Sequence, residues 1–363
     1  MKEKTKILHV LGDLNIGGIE SLLISIFNNI DRDEFEFDFL VHSIGSNQNL
    51  RKIEKLGGKV YTIDKFNPKN PFKYKKDFQN FLSNHKEYQI LHCHFRGTES
   101  TILKVAKKYG LTTISHCHGI NYGSGIKKII RDYLKNDVIK YSDYKFACSI
   151  EAGKFLFKDS KFTLIKNGID LEKYIYNEDV RKEVRNKLKI INNKVIVHVG
   201  SFLQVKNQKF LVDLMKDLVK IDDKIILLFV GDGYLKEESE NLTKKLNLEA
   251  NVKFLGSISN VNEILQAVDL FLLPSLNEGL PLSAVEAQSA GLKCLLSDSI
   301  PKDVKLTENV EFISLNDKEK WKKMILDSFG YERKNLYKAI DDKGFNIKNT
   351  SKFLEEFYKS IIN

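Results

Sequence analysis

Leu270-Phe271-Leu272-Leu273-Pro274-Ser275-Leu276-Asn277-Glu278-Gly279-Leu280-Pro281-Leu282-Ser283-Ala284-Val285-Glu286-Ala287 runs from an apolar strand through a glycine-containing loop into a helix. Four consecutive apolar residues predict a buried strand that ends at Pro274, and Pro281 falls in the first turn of the following helix, where a missing N–H is tolerated. Gly279 and Leu280 then present backbone N–H groups at the helix start. Unpaired donors and the positive end of the helix dipole favour an anion there, such as a diphosphate. Glu278 precedes the helix and Glu286 lies about a turn and a half inside it, so the two carboxylates address different parts of one elongated ligand. Sugar hydroxyls suit one and a ribose the other, since ionised carboxylates only accept.

Outward from this stretch, strand-like runs alternate with helix-length segments. One series is Lys6 to Leu11, Phe35 to Val41, Lys59 to Ile63, Ile90 to His92, Thr112 to Ser115 and Tyr144 to Ala147. A second is Val195 to Val199, Ile225 to Val230, Val252 to Leu255, Leu270 to Leu273, Cys294 to Leu296 and Glu311 to Ile313. Such alternation implies crossover units and parallel sheets, an α/β class with two domains of one design. Between the series stands Lys166-Asn167-Gly168-Ile169-Asp170, whose Asn-Gly supplies turn chemistry. The expected domains are 1–168 and 169–348, and apolar Leu354, Phe357 and Ile361 predict a packing helix near the end.

A chain of 363 residues suits two domains, and 42% hydrophobic with 29% charged residues is globular. The charged start and the early interruptions at His9, Asp13 and Asn15 predict neither a secretory leader nor a membrane span, hence a cytoplasmic protein. Cys93, Cys117, Cys148 and Cys294 lack the spacing of a disulfide framework and are expected reduced. The net charge of +10 is uneven: residues 1 to 165 hold 27 Lys and Arg against 18 Asp and Glu, the remainder 31 against 30. That excess points to an anionic partner for the first half. Lys69, Lys73, Lys75 and Lys76 mixed with Phe72, Tyr74 and Phe78 suggest a membrane surface that the protein docks on peripherally, and no nucleic-acid module is recognisable.

With these motifs in order, the chain resembles retaining glycosyltransferases of family 4, especially those making bacterial capsule and exopolysaccharide, over nearly its whole length. The matching residues are the Glu-x7-Glu pair Glu278 and Glu286, Gly17-Gly18-Ile19-Glu20, the Asn167 to Asp170 turn, Lys206 after Gly200, Gly231-Asp232-Gly233, and Val252 to Gly256. The resemblance implies the two-domain B-type (GT-B) fold: an N-terminal acceptor domain on which a C-terminal helix, 349–363, packs back, a C-terminal donor domain, and an active site in the cleft between them. It implies transfer from a nucleotide-sugar, by analogy a UDP-sugar, to a glycan or lipid-diphosphate-linked saccharide, with retention and without a metal or cofactor. Glu278 would contact the donor sugar and Glu286 the nucleotide ribose. Gly17, Gly18, Ser201, Gly231, Phe254, Leu255, Gly279 and Leu280 would complete the donor site. Members of the family often carry Arg where this chain has Ser201, which shifts the charge of the leaving diphosphate onto Lys206.

Two clusters, His92-Cys93-His94 and His116-Cys117-His118, end neighbouring runs, and alternation puts four imidazoles on one side. A zinc site is the less favoured reading. The resemblance instead places the histidine before Gly119 on the acceptor side of the cleft, which selects His118, with His116 competing for the role. Asp31-Arg32-Asp33 precedes a strand instead of following one and reads as a polar turn. The competing function is a non-catalytic sugar-nucleotide-binding subunit, against which His118, Lys206, Glu278 and Glu286 argue together.

Overall fold

Strands whose residues are all apolar are stable only when covered on both faces, and both sheets of this protein obey that rule. The computed structural model describes residues 4–15, 17–67, 69–94, 97–119 and 134–362. Its contacts divide the chain into two units, Met1–Gly168 with Ile347–Asn363, and Ile169–Asn346.

In the first unit the strands are β1 (Thr5–Val10), β2 (Asp13–Leu14), β3 (Phe35–Val41), β4 (Ser43–Ile44), β5 (Val60–Thr62), β6 (Tyr88–Cys93), β7 (Thr112–Cys117), β8 (Tyr144–Ala147) and β9 (Thr163–Leu164). Seven form a parallel sheet in the order β5-β3-β1-β6-β7-β8-β9, while β2 pairs with β4. Alternation in β1 sends Ile7 to one face, with Phe27, Phe37 and Tyr358, and Leu8 to the other, with Phe78, Leu91 and Leu103. The second unit holds β10 (Lys194–Val199), β11 (Ile225–Val230), β12 (Val252–Phe254), β13 (Leu270–Leu273), β14 (Lys293–Ser297) and β15 (Val310–Ile313), ordered β12-β11-β10-β13-β14-β15. All six residues of β11 are buried. The short β2, β4 and β9 carry no apolar run and were not expected.

The final helix, Ile347–Ile362, starts earlier than the apolar stripe suggests, because Ile347, Thr350 and Ser351 are buried one turn above Leu354 and Tyr358. It packs along the helix Gly18–Asn29 in the first unit. Its Tyr358 hydroxyl meets Nδ1 of buried His92 at 2.7 Å.

The expected aromatic face of the helix Pro71–Asn84 is corrected. Tyr74 and Phe78 belong to the core, and Lys73 is tied to Asp64 and Asp77. Helical periodicity puts Tyr74 and Phe78 four residues apart on the inward stripe, leaving Phe72 outside with 81% exposure. No described helix is long and apolar enough to cross a membrane, and all four cysteines are buried.

Tyr358→Phe would strip His92 of its partner at Nδ1 while Nε2 already has none among the described residues. A destabilisation of about 1–3 kcal/mol is expected in urea unfolding, the cost of an unsatisfied buried polar group. An unchanged midpoint would show that the hydroxyl contributes nothing.

Candidate active site

Parallel sheets offer a crevice where neighbouring strands send their connections to opposite sides, at the carboxyl ends of those strands. In the second unit this point lies between β10 and β13. The segment after β10 carries Gly200, Ser201 and Lys206, and the segment after β13 carries Ser275 and Glu278. They meet there: Lys206 Nζ lies 2.7 Å from Glu278 Oε1, and both side chains are largely buried. Ser275 Oγ donates to the same oxygen at 2.7 Å. The two segments are further joined by Leu276 N–H to the Val205 carbonyl at 2.8 Å and Asn207 Nδ2 to the Pro274 carbonyl at 3.2 Å.

Gly231, at the end of β11, has φ of +137°, and a Cβ there would lie 2.1 Å from the Gly200 carbonyl oxygen. Only glycine permits that approach. Phe202 N–H donates to the Asp232 carbonyl at 2.9 Å, so the loops after β10 and β11 form one floor. Ser201 is exposed on it. Beneath, buried His198 donates from Nδ1 to the Leu272 carbonyl at 3.0 Å, and burial holds its pKa at about 3. Phe254 stacks on Phe229 at 5.2 Å and Leu255 packs on the other core, so the two side chains serve packing.

The glycine loop is also corrected. The helix spans Leu282–Ser289 with Pro281 as its N-cap in extended backbone, not inside the first turn. Gly279 and Leu280 lie half-buried in the loop just before it. Glu286, inside the helix, has its carboxyl pushed up to about 7 by burial, with the Tyr174 hydroxyl beside it acting in the opposite direction.

The first unit has its own crossover point, between β1 and β6. Gly17 and Gly18 start the helix Gly18–Asn29 there, with Gly17 as N-cap. The carboxylate of Glu20 folds back over this turn, 2.4 Å from where a Cβ on Gly17 would stand. A side chain at residue 17 would make the flexible end of that acid swing aside.

Beside it the histidines form a hydrogen-bonded chain. With Asn167 Oδ1 accepting, His118 Nδ1 donates to it at 3.2 Å, His94 Nδ1 donates to His118 Nε2 at 2.8 Å, and His9 Nδ1 donates to His94 Nε2 at 3.0 Å. His92 and His116 stack between these rings. His116 is buried and His118 partly exposed, which makes His118 the one a ligand reaches more readily. The spacing also has the dimensions of a metal site, within 4.8 Å for His94, His116 and His118, but both His94 nitrogens are committed to neighbouring rings. Sequence reasoning missed His9, Asn167 as a partner, His198 and Ser275; a histidine in an apolar strand is the only signal available, and a serine after proline reads as a turn.

Residues 180–327 match the family model described as glycosyl transferases group 1, and residues 16–173 the one described as glycosyltransferase family 4. A Bacillus subtilis protein named as the glycosyltransferase EpsF is 30% identical over 82% of this chain and 80% of its own. An Escherichia coli UDP-Gal:α-D-GlcNAc-diphosphoundecaprenol α-1,3-galactosyltransferase is 26% identical over 95% and 90%. The Staphylococcus aureus capsular polysaccharide biosynthesis glycosyltransferase CapH is 24% identical over 98% and 99%. Among solved structures, Anabaena HepE in complex with UDP and glucose superposes with a TM-score of 0.81 at 19% identity, over 98% of this chain and 100% of that one. The fold is thus the B-type (GT-B) one, two Rossmann-like domains with parallel sheets.

Burial lowers the pKa of His9 to about 3 and those of His92, His94 and His116 well below 6.5. Unfolded, each takes up a proton below about 6.5, so the unfolded state binds more protons and stability falls as pH drops below that value. Four such groups cost on the order of 5 kcal/mol per pH unit, comparable to the whole stability of a domain. Circular dichroism should show the first unit unfolding near pH 5, and His116→Phe, which removes one titrating group, should move the midpoint lower. A fold intact to pH 4 would contradict this.

Proposed function

The chain belongs to the group 1 and family 4 glycosyltransferases, and on that premise we propose that it moves a sugar from a UDP-sugar to a hydroxyl of a lipid-linked saccharide, in the synthesis of capsule or exopolysaccharide. The observation that carries the donor assignment is the convergence of Lys206, Glu278 and Ser275 at the crossover of the second sheet. A diphosphate is the ligand whose charge answers a largely buried ammonium beside glycine backbone. The donor names of the Escherichia coli relative and of the HepE complex support UDP, and the former supports a diphosphate-linked acceptor.

In this reading the bond from the anomeric carbon to the diphosphate breaks, and the acceptor oxygen bonds to that carbon on the same face. The acceptor proton passes to the departing phosphate oxygen. Lys206 takes up the charge that grows on the leaving group, so no divalent ion is required. Glu278 holds donor sugar hydroxyls and Glu286 the ribose, while Gly17, Gly18, Ser201, Gly231, Gly279 and Leu280 line the donor with backbone. The acceptor is assigned to the first unit, on the side of His118.

A second element concerns where the acceptor is met. We place the enzyme on the inner, anionic face of the cell membrane, through Phe66 and Phe72 with Lys69 and Lys76, all exposed. Each lysine near an anionic leaflet contributes about 1 kcal/mol, and the rings add apolar contact.

Released UDP should be detected with UDP-glucose, UDP-galactose or their N-acetyl forms and an undecaprenyl-diphosphate-linked sugar, and it should persist in EDTA. Lys206→Ala is expected to lower kcat by roughly 10²-fold or more while donor binding changes less. Strict need for Mg²⁺ or Mn²⁺, or inverted product by proton NMR, would overturn the mechanism. In co-sedimentation, phosphatidylglycerol vesicles should bind the protein more than phosphatidylcholine ones, less so at high salt, and less after Phe72→Ser with Lys69→Glu and Lys76→Glu. Equal binding to both vesicles would remove the membrane reading.

A further inference from the structure

Lys206 cannot give its full charge to a phosphate while it pairs with Glu278, and Glu278 left beside a diphosphate is repelled by it. Something must hold the acid as the lysine turns. We infer that Ser275 is a positioning residue of the donor site, its hydroxyl anchoring Glu278 Oε1 so that the carboxylate keeps its place when Lys206 engages a donor phosphate. The inference rests on the reading of Lys206 and Glu278 as donor-site groups.

The geometry carries it. Ser275 is 0% exposed, so water does not compete for its proton. Its hydroxyl points to an ionised acceptor at 2.7 Å, a charge-assisted bond that is stronger than a neutral one. Ser275 and Lys206 share Oε1, and Oε2 takes no hydrogen bond from the described residues, which leaves that oxygen to sugar hydroxyls. The serine cannot drift, because Pro274 and Leu276 on either side of it are each bonded to the lysine loop, through Asn207 and Val205. Acid, lysine and serine therefore move as one assembly, and of the two groups on Oε1 only the lysine has a long flexible stem on which to leave.

The test measures UDP and UDP-glucose binding by calorimetry in the full-length protein, with Ser275→Ala, Ser275→Thr, Glu278→Gln and the Ser275→Ala/Glu278→Gln double variant. Ser275→Ala is expected to weaken UDP-glucose by roughly tenfold and UDP less than twofold, the loss of one hydrogen bond to a charged group. Thr should restore binding, and Ser275→Ala should cost nothing more once Glu278 is Gln. Equal loss for both ligands, wild-type binding by Ser275→Ala, or losses that multiply in the double variant would overturn the inference. If Glu278→Gln binds both ligands as wild type does, or wild type binds neither, the donor reading fails instead. Crystal structures of unliganded Lys206→Ala and of Ser275→Ala/Lys206→Ala then decide for the serine: Glu278 should keep its place in the first and leave it in the second, and an unmoved carboxylate in the second would refute its role.

Discussion

A parallel strand buried on both faces has no residue left for chemistry. Every side chain of Ile225–Val230 is spent on the two cores of the second unit. Function is therefore displaced to the segments that leave the strands at their carboxyl ends, and it gathers where the sheet order sends adjacent connections apart. Lys206 and Glu278 come from two such segments, which is why a loop lysine and a loop acid, far apart in the chain, form a 2.7 Å pair. The backbone needs follow from the same crowding, as when Gly231 lies against the Gly200 carbonyl.

The first unit departs from apolar strands most visibly at a row of histidines, and it compensates locally. His9, His92 and His116 occupy inward positions of adjacent strands, where β1 and β6 align His9 with His92. His9 is held there by His94 and His92 by Tyr358, and the chain runs on from His94 through His118 to Asn167, while His116, with no hydrogen-bond partner among the described residues, is held by ring contacts with His92 and His118. The result couples the final helix to the sheet through Tyr358, and the Asn167 turn to the ring of His118. A column of neutral imidazoles is a store of acid sensitivity as well as a scaffold.

Where the sequence misled, a local signal was outvoted by three-dimensional packing. Lysines and aromatics mixed over residues 66–81 look like one amphiphilic surface, yet helical geometry draws Tyr74 and Phe78 inward and leaves Phe72 outside. Pro281 suits a first helical turn and an N-cap alike, and the loop from β13 puts it at the cap.

By itself the sequence determined the class of fold, because apolar runs and their spacing are local properties that survive without knowledge of neighbours: the long strands lie within two residues of where their hydrophobic patterns put them. It also disclosed Glu278, Glu286 and Lys206 as a candidate set, since their motif order is written along the chain. Only the tertiary structure decided that Lys206 faces Glu278, that Ser275 shares its oxygen, that His9 joins the histidines, and that Tyr74 is core. Each of these is a contact between segments brought together by sheet order and strand register, and a hydrogen bond a few ångströms long depends on that arrangement and leaves no trace in the pattern of either segment alone.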